Sequence, residues 1–134
     1  MVLYAANPRC LRNVVAVVAT VLVLVVAAIH VYILVLEMFL WRTERGRRAF
    51  GTDQAFADAS ATLAANQGLY NGILAAGLIW GVIAPDPVGF QVTIFFLLAV
   101  AIAGIYGAAT VNRRILFVQT VPALLALVAV LLAG

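Results

Sequence analysis

The sequence predicts an all-α integral membrane protein, a single domain (1–134) in which four transmembrane helices form an antiparallel bundle, and three observations carry that prediction. Of its 134 residues, 66% are hydrophobic and 10% charged, with a mean hydropathy of +1.17. That balance leaves too little polar surface for a domain wetted on all sides. The apolar residues gather in four segments, about 14–40, 61–84, 88–111 and 115–133, each near the ~20 residues that cross the hydrocarbon core of a bilayer. The connection at 112–114 is so short that the helices it joins are antiparallel neighbours.

In the first segment Arg9 and Arg12 precede the apolar run, as in a secretory signal. The run is longer than a signal core and has no small-residue cleavage site, so it is expected to be the first transmembrane helix. Cys10 is the only cysteine, which rules out an intrachain disulfide and leaves an inert thiol as the expectation. Further along, Val23, Ala27, His30, Leu34, Glu37 and Trp41 share one helical face. His30 and Glu37 are ~20° apart around the axis but ~10.5 Å apart along it, so a third group has to lie between them if they cooperate. Trp41 is placed to mark a membrane interface.

All eight basic residues are arginines. Arg42, Arg45, Arg47 and Arg48 fall in the first loop and Arg113 and Arg114 in the third, against Arg9 and Arg12 on the other side. The positive-inside rule then predicts a multi-pass cell-membrane protein with loops 41–60 and 112–114 in the cytoplasm and both termini outside. The net charge of +3 is explained by topology and by membrane lipids as partners, and no nucleic-acid partner is expected. Within the first loop a short interfacial helix is expected around 53–59, with Asp58 or Ser60 capping the second transmembrane helix.

That second helix contains AANQGLYNG, Ala64 to Gly72. At ~100° per residue, Gln67, Tyr70 and Asn71 fall on one face with Asn66 at its edge, and Gly68, Gly72 and Ala76 form a small-residue stripe opposite. Gly77 and Gly81 thin the helix on the polar side. Polar side chains are costly in hydrocarbon unless partnered, so the polar face is expected to point into the bundle or a cavity and the small stripe to admit a close neighbour. Pro85, Asp86, Pro87 and Gly89 make the outer turn. In the third helix Ala99, Ala103, Tyr106 and Thr110 share a face, and Gly104 with Ala108 supplies a second packing stripe. The fourth carries Gln119 and Pro122, and the proline is expected either to kink the helix or to free the Val118 carbonyl.

Four segments thus bring polar groups to one depth in the cytoplasmic half of the bundle, whereas the outer half is almost wholly Val, Leu, Ile and Ala. A shared pocket is the reading this favours, although hydrogen bonds that merely glue helices together, worth ~0.6 kcal/mol each, are the plainer alternative. The segments LEMFLW (Leu36 to Trp41), AANQGLYNG, AGIYGAAT (Ala103 to Thr110), FVQ (Phe117 to Gln119) and PALLAL (Pro122 to Leu127) resemble, in order and spacing, those of the domain of unknown function 1304 family. The resemblance runs from about His30 to Leu127. It implies a small four-helix integral membrane protein and makes Glu37, Asn66, Gln67, Tyr70, Asn71, Tyr106 and Gln119 motif residues, without implying an activity.

The functional expectation is a polar intramembrane pocket for a small lipophilic or amphipathic molecule. Asn66, Gln67, Asn71, Thr110 and Gln119 are the expected ligand contacts. If the site is catalytic, acid–base isomerisation is the reaction class it suits, with His30 or Glu37 moving the proton and Tyr70 and Tyr106 polarising the substrate. No metal or other cofactor is expected, since HExxH, GxSxG and phosphate-loop motifs are missing from the sequence. A homo-oligomer is expected, and in the accessory-subunit alternative it is the Gly68, Gly72 and Ala76 stripe that builds it. The alternatives are a proton-coupled transporter that uses Glu37 and an accessory subunit that docks another membrane protein.

Overall fold

The computed structural model describes residues 8–134, and their regular structure is entirely helical, with five α-helices and one π-turn. Helix α1 (Pro8–Met38) begins earlier than the apolar pattern suggested, with a proline where the first helical turn needs no N–H donor. The expected outward side of the N-terminus concerns residues 1–7, outside the described residues. After α1 the chain turns sharply. The Thr43 hydroxyl donates to the Leu40 carbonyl at 2.6 Å and accepts from Gly46 N at 3.3 Å, which caps a short helix, α2 (Glu44–Phe50). Gly51 ends it in the left-handed region, φ 67°, a conformation that costs glycine little.

Helix α3 (Gln54–Ile83) then starts well before the expected position. Its cap is Asp53, whose Oδ1 accepts from Phe56 N at 2.8 Å, and neither Asp58 nor Ser60 plays that part. The separate helix expected at 53–59 is therefore the first turns of α3, because nothing between Asp53 and Ser60 breaks a helix. Ser60 instead donates to the Phe56 carbonyl within the helix and accepts from Trp41 Nε1 at 3.1 Å. The Pro85–Pro87 turn, with a cis Asp86–Pro87 peptide, leads into α4 (Val88–Thr110), and Asp86 Oδ1 accepts from Phe90 N at 3.1 Å. The last segment is a π-turn (Leu116–Thr120) running into α5 (Val121–Ala133). Pro122 has no N–H for the Val118 carbonyl. The helix widens just upstream, where the Val121 N–H bonds to the Leu116 carbonyl.

α1 packs on α3 and α5, and α4 packs on α3, α5 and the π-turn. The contacts run in opposite directions along each pair. Gly68 lies against Met38 and Glu37 while Gly72 lies against Leu34; Gly77 faces Phe96 while Gly81 faces Thr93; Gly104 faces Thr120 while Gly134 faces Phe90. Neighbouring long helices are therefore antiparallel. The core between them is small and apolar, with Val23, Val26, Ala27, Leu78, Leu97, Val100 and Ala126 at its centre. Many larger apolar side chains point outward, among them Leu63, Ile83 and Leu132, each more than 70% exposed. Water would penalise such a surface, and hydrocarbon would not.

Among the described residues three helical stretches are long and apolar enough to cross a membrane: α1, α4 and Leu116–Ala133. Four were expected. At 30 residues α3 has the length, but Asn66, Gln67 and Asn71 lower its apolarity. The four-rod expectation also missed α2, because a seven-residue helix in a charged loop has too short a period to read.

Candidate functional site

The polar residues do not converge on one point. His30 is completely buried, with Nδ1 2.8 Å from the Val26 carbonyl oxygen and Nε2 3.4 Å from Gln119 Nε2. A carbonyl can only accept, so Nδ1 carries a proton, and the neutral ring then accepts from the Gln119 carboxamide through Nε2. Both nitrogens are spent on tying α1 to its own backbone and to the π-turn. The part expected of His30, a proton carrier open to a ligand, does not fit this environment.

Glu37, seven residues on, is tied to a different helix. Its Oε2 accepts from Asn71 Nδ2 at 2.8 Å, and the same nitrogen donates to the Gln67 carbonyl at 3.1 Å. Gly68 makes this seam possible, since a Cβ there would sit 3.2 Å from both the Glu37 Cβ and the Leu34 carbonyl oxygen. A rim of polar contacts closes the α2 end just beyond it. Trp41 bonds Ser60 and packs on the Phe50 ring at 4.9 Å, Arg42 pairs with Asp58 at 3.6 Å, and Gln54 donates to Asp58 at 3.0 Å.

The remaining candidates face outward, which corrects the expectation of an inward polar face. Asn66 and Gln67 are exposed, Tyr70 is 57% exposed and Tyr106 71% exposed. Thr110 is also exposed and donates to the Tyr106 carbonyl at 2.7 Å. The reason lies in α3: its seam with α1 is lined by Gly68 and Gly72, because small residues let two backbones approach. The opposite face is turned away as a consequence, and only Asn71, at the boundary, reaches inward. Of the packing residues, Gly68 and Gly104 are buried, Gly72 and Ala108 are half-buried, and Ala76 is exposed and outside the seam.

One further relation connects the outward residues. Gly77 and Gly81 meet α4 at Phe96 and Thr93, and Tyr70 lies ~20° from both around α3. The face that α4 covers at the glycines is thus uncovered at Tyr70. At that level α4 rests on the π-turn instead, with Gly104 against Thr120 and Gln119. Ala103, which continues the line of Phe96 at ~20°, lies level with Tyr70 in the antiparallel register, and Tyr106 and Thr110 follow it. Asn66, Gln67, Tyr70, Tyr106 and Thr110 are thus exposed on α3 and α4 toward the α2 end.

Sequence reasoning passed over a cleft of about 400 Å³ at the opposite, Pro85–Pro87 end, lined by residues that include Thr20, Val23, Gly81, Phe90, Thr93 and Val130. Its signals were Thr20 and Thr93 inside apolar runs and Gly81, where a Cβ would collide with the Thr93 hydroxyl.

Stacked helices apolar enough to cross a bilayer, a small-residue core and outward-turned large apolar side chains are the features of a helical membrane protein. The model of a family described as Protein of unknown function (DUF1304) matches residues 24–131, and the chain belongs to that family. The chain is also similar to the uncharacterized protein YpaA of Lactococcus lactis subsp. lactis, 31% identical over 110 residues that make up 81% of this chain and 92% of that protein. No solved structure matches it.

Proposed function

We propose that the protein is a four-helix transmembrane bundle whose open α3–α4 face binds a small lipophilic or amphipathic molecule from the cytoplasmic side of the bilayer. The spans are α1, α3, α4 and the π-turn with α5. The arginines of 41–60 and 112–114 support placing those connections in the cytoplasm and both termini outside. One observation carries the binding reading: the side chains of Asn66, Tyr70 and Tyr106 face outward and make no hydrogen bond to another described residue. The Trp41–Ser60 contact supplies a reference for depth, since Gln67 and Tyr70 lie ~10 and ~15 Å beyond Ser60 along α3. Hydrocarbon offers such groups no partner, and an unmet polar group there costs on the order of several kcal/mol. A molecule with a few polar atoms on an apolar body satisfies them and keeps its remainder in lipid.

Carboxamides both donate and accept, and phenols donate to a carbonyl or hydroxyl oxygen. Glu37, behind Asn71 at the edge of this face, is the group nearest to hand for moving a proton, so isomerisation within the bilayer is the reaction this arrangement suits. The test is extraction of the protein into lipid–copolymer discs, followed by mass spectrometry of the organic extract. The expected result is one compound enriched over bulk lipid with the wild type and lost with Tyr70→Leu/Tyr106→Leu. A wild type that enriches nothing overturns the reading. So does a double variant that falls from oligomer to monomer, because the face is then an interface between copies.

A further inference from the structure

The loop arginines are not equivalent. Arg42 pairs with Asp58 and Arg48 with Glu44. Arg47 donates to the Arg42 carbonyl and to Gln54, whose amide in turn holds Asp58. Arg45, like Arg47, meets only neutral groups, but it reaches the outer surface of α1: its Nη2 donates to the Tyr32 hydroxyl at 3.3 Å, and its guanidinium carbon lies 5.6 Å from the centre of the Tyr32 ring. Both contacts are neutral, so Arg45 is held in place with its charge uncompensated. Gly46 is what brings it there. A Cβ at that position would run into the Leu40 carbonyl and Trp41, so glycine lets α2 fold back on the end of α1.

Tyr32 is half-exposed on the outer surface of α1, and Ala28, Val25 and Val21 continue that exposed surface below it at steps of four and three residues. A fixed cation therefore stands at the head of an apolar track. We propose that Arg45 and Tyr32 form a binding site for the phosphate of an anionic phospholipid, with an acyl chain lying along Ala28, Val25 and Val21. A guanidinium presents five N–H donors in a planar fork that matches phosphate oxygens, and Tyr32 uses one of them. A free phosphate uses the fork alone, whereas a phospholipid uses the fork and the track together. The inference is independent of what occupies the α3–α4 face.

The experiment is native mass spectrometry of the full chain in detergent, titrated with phosphatidylglycerol. Arg45→Ala is expected to weaken binding about tenfold, the loss typical of one charge-assisted contact. Arg48→Ala removes the same charge from a paired residue and is expected to change binding less than about twofold. Arg45→Lys keeps the charge but loses the fork and is expected to fall between them. Tyr32→Leu is expected to weaken binding with the helical circular dichroism unchanged. Equal losses in Arg45→Ala and Arg48→Ala overturn the site in favour of general surface charge, and wild-type binding by Arg45→Lys overturns the geometry. Displacement of phosphatidylglycerol by millimolar inorganic phosphate overturns the lipid assignment.

Discussion

Gly77 and Gly81 share a face of α3 with Tyr70, yet the glycines are buried against Phe96 and Thr93 while Tyr70 is 57% exposed. One helical face is used in two ways along its length. Where α4 comes in, the residues have no side chain, and dispersion between close backbones holds the pair. Where α4 leans toward the π-turn, the same face carries Tyr70 with Gln67 and Asn66 beside it, and nothing within the described chain covers them. The difference teaches that residue type on this helix reports the presence of a neighbour more directly than it reports burial.

The strongest way to break the comparison is to give the closed half a side chain. A Cβ at Gly81 falls 2.9 Å from the Thr93 backbone nitrogen and 3.1 Å from its Cα, atoms that cannot rotate away. Gly81→Leu is expected to destabilise the fold by about 3 kcal/mol, measured by reversible unfolding in mixed micelles. Tyr70→Leu, on the same face, is expected to stay within about 0.5 kcal/mol of wild type. Equal losses at the two positions would mean that the open half is packed as tightly as the closed one.

A smaller effect tests whether the open half depends on local structure. Asp53 caps its first turn through Phe56 N, and α2 and the Trp41–Ser60 contact are its near support. Asp53→Ala is expected to cost about 1 kcal/mol and to speed amide exchange over residues 54–60 while leaving 75–83 unchanged. Exchange that rose equally along the whole helix would show α3 opening as one unit.

Much of this contrast was legible in the sequence. Periodicity put Gly77 and Gly81 on the polar side of their helix, put Gly68 and Gly72 on the other, and set His30 and Glu37 too far apart to touch. It could not say which side meets a partner, because a period fixes angles around one axis and carries no direction toward a second. The inward placement expected for Asn66, Gln67 and Tyr70 rested on the cost of polar groups in lipid, and that cost was outweighed by the closer α1 seam the glycines permit. The tie between His30 and Gln119 spans 89 positions and depends on the wider turn ahead of Pro122, so no local pattern announces it.

The smallest effect separates two polar ties from one shared site. Asn71→Leu removes the donor to Glu37 and is expected to cost about 0.6 kcal/mol, the average for a hydrogen bond between membrane helices. A cost of that size says little alone, because a changed side-chain volume can match it. The informative quantity is coupling. In a double-mutant cycle, Asn71→Leu with Glu37→Leu is expected to show a coupling near 0.6 kcal/mol, since each variant removes the same bond. Asn71→Leu with His30→Leu is expected to show coupling close to zero, because His30 spends its nitrogens on Val26 and Gln119 and makes no hydrogen bond to Asn71. If the second cycle matched the first, His30, Glu37 and Asn71 would act as one network, and a single acid–base site spanning α1 would replace the two separate ties.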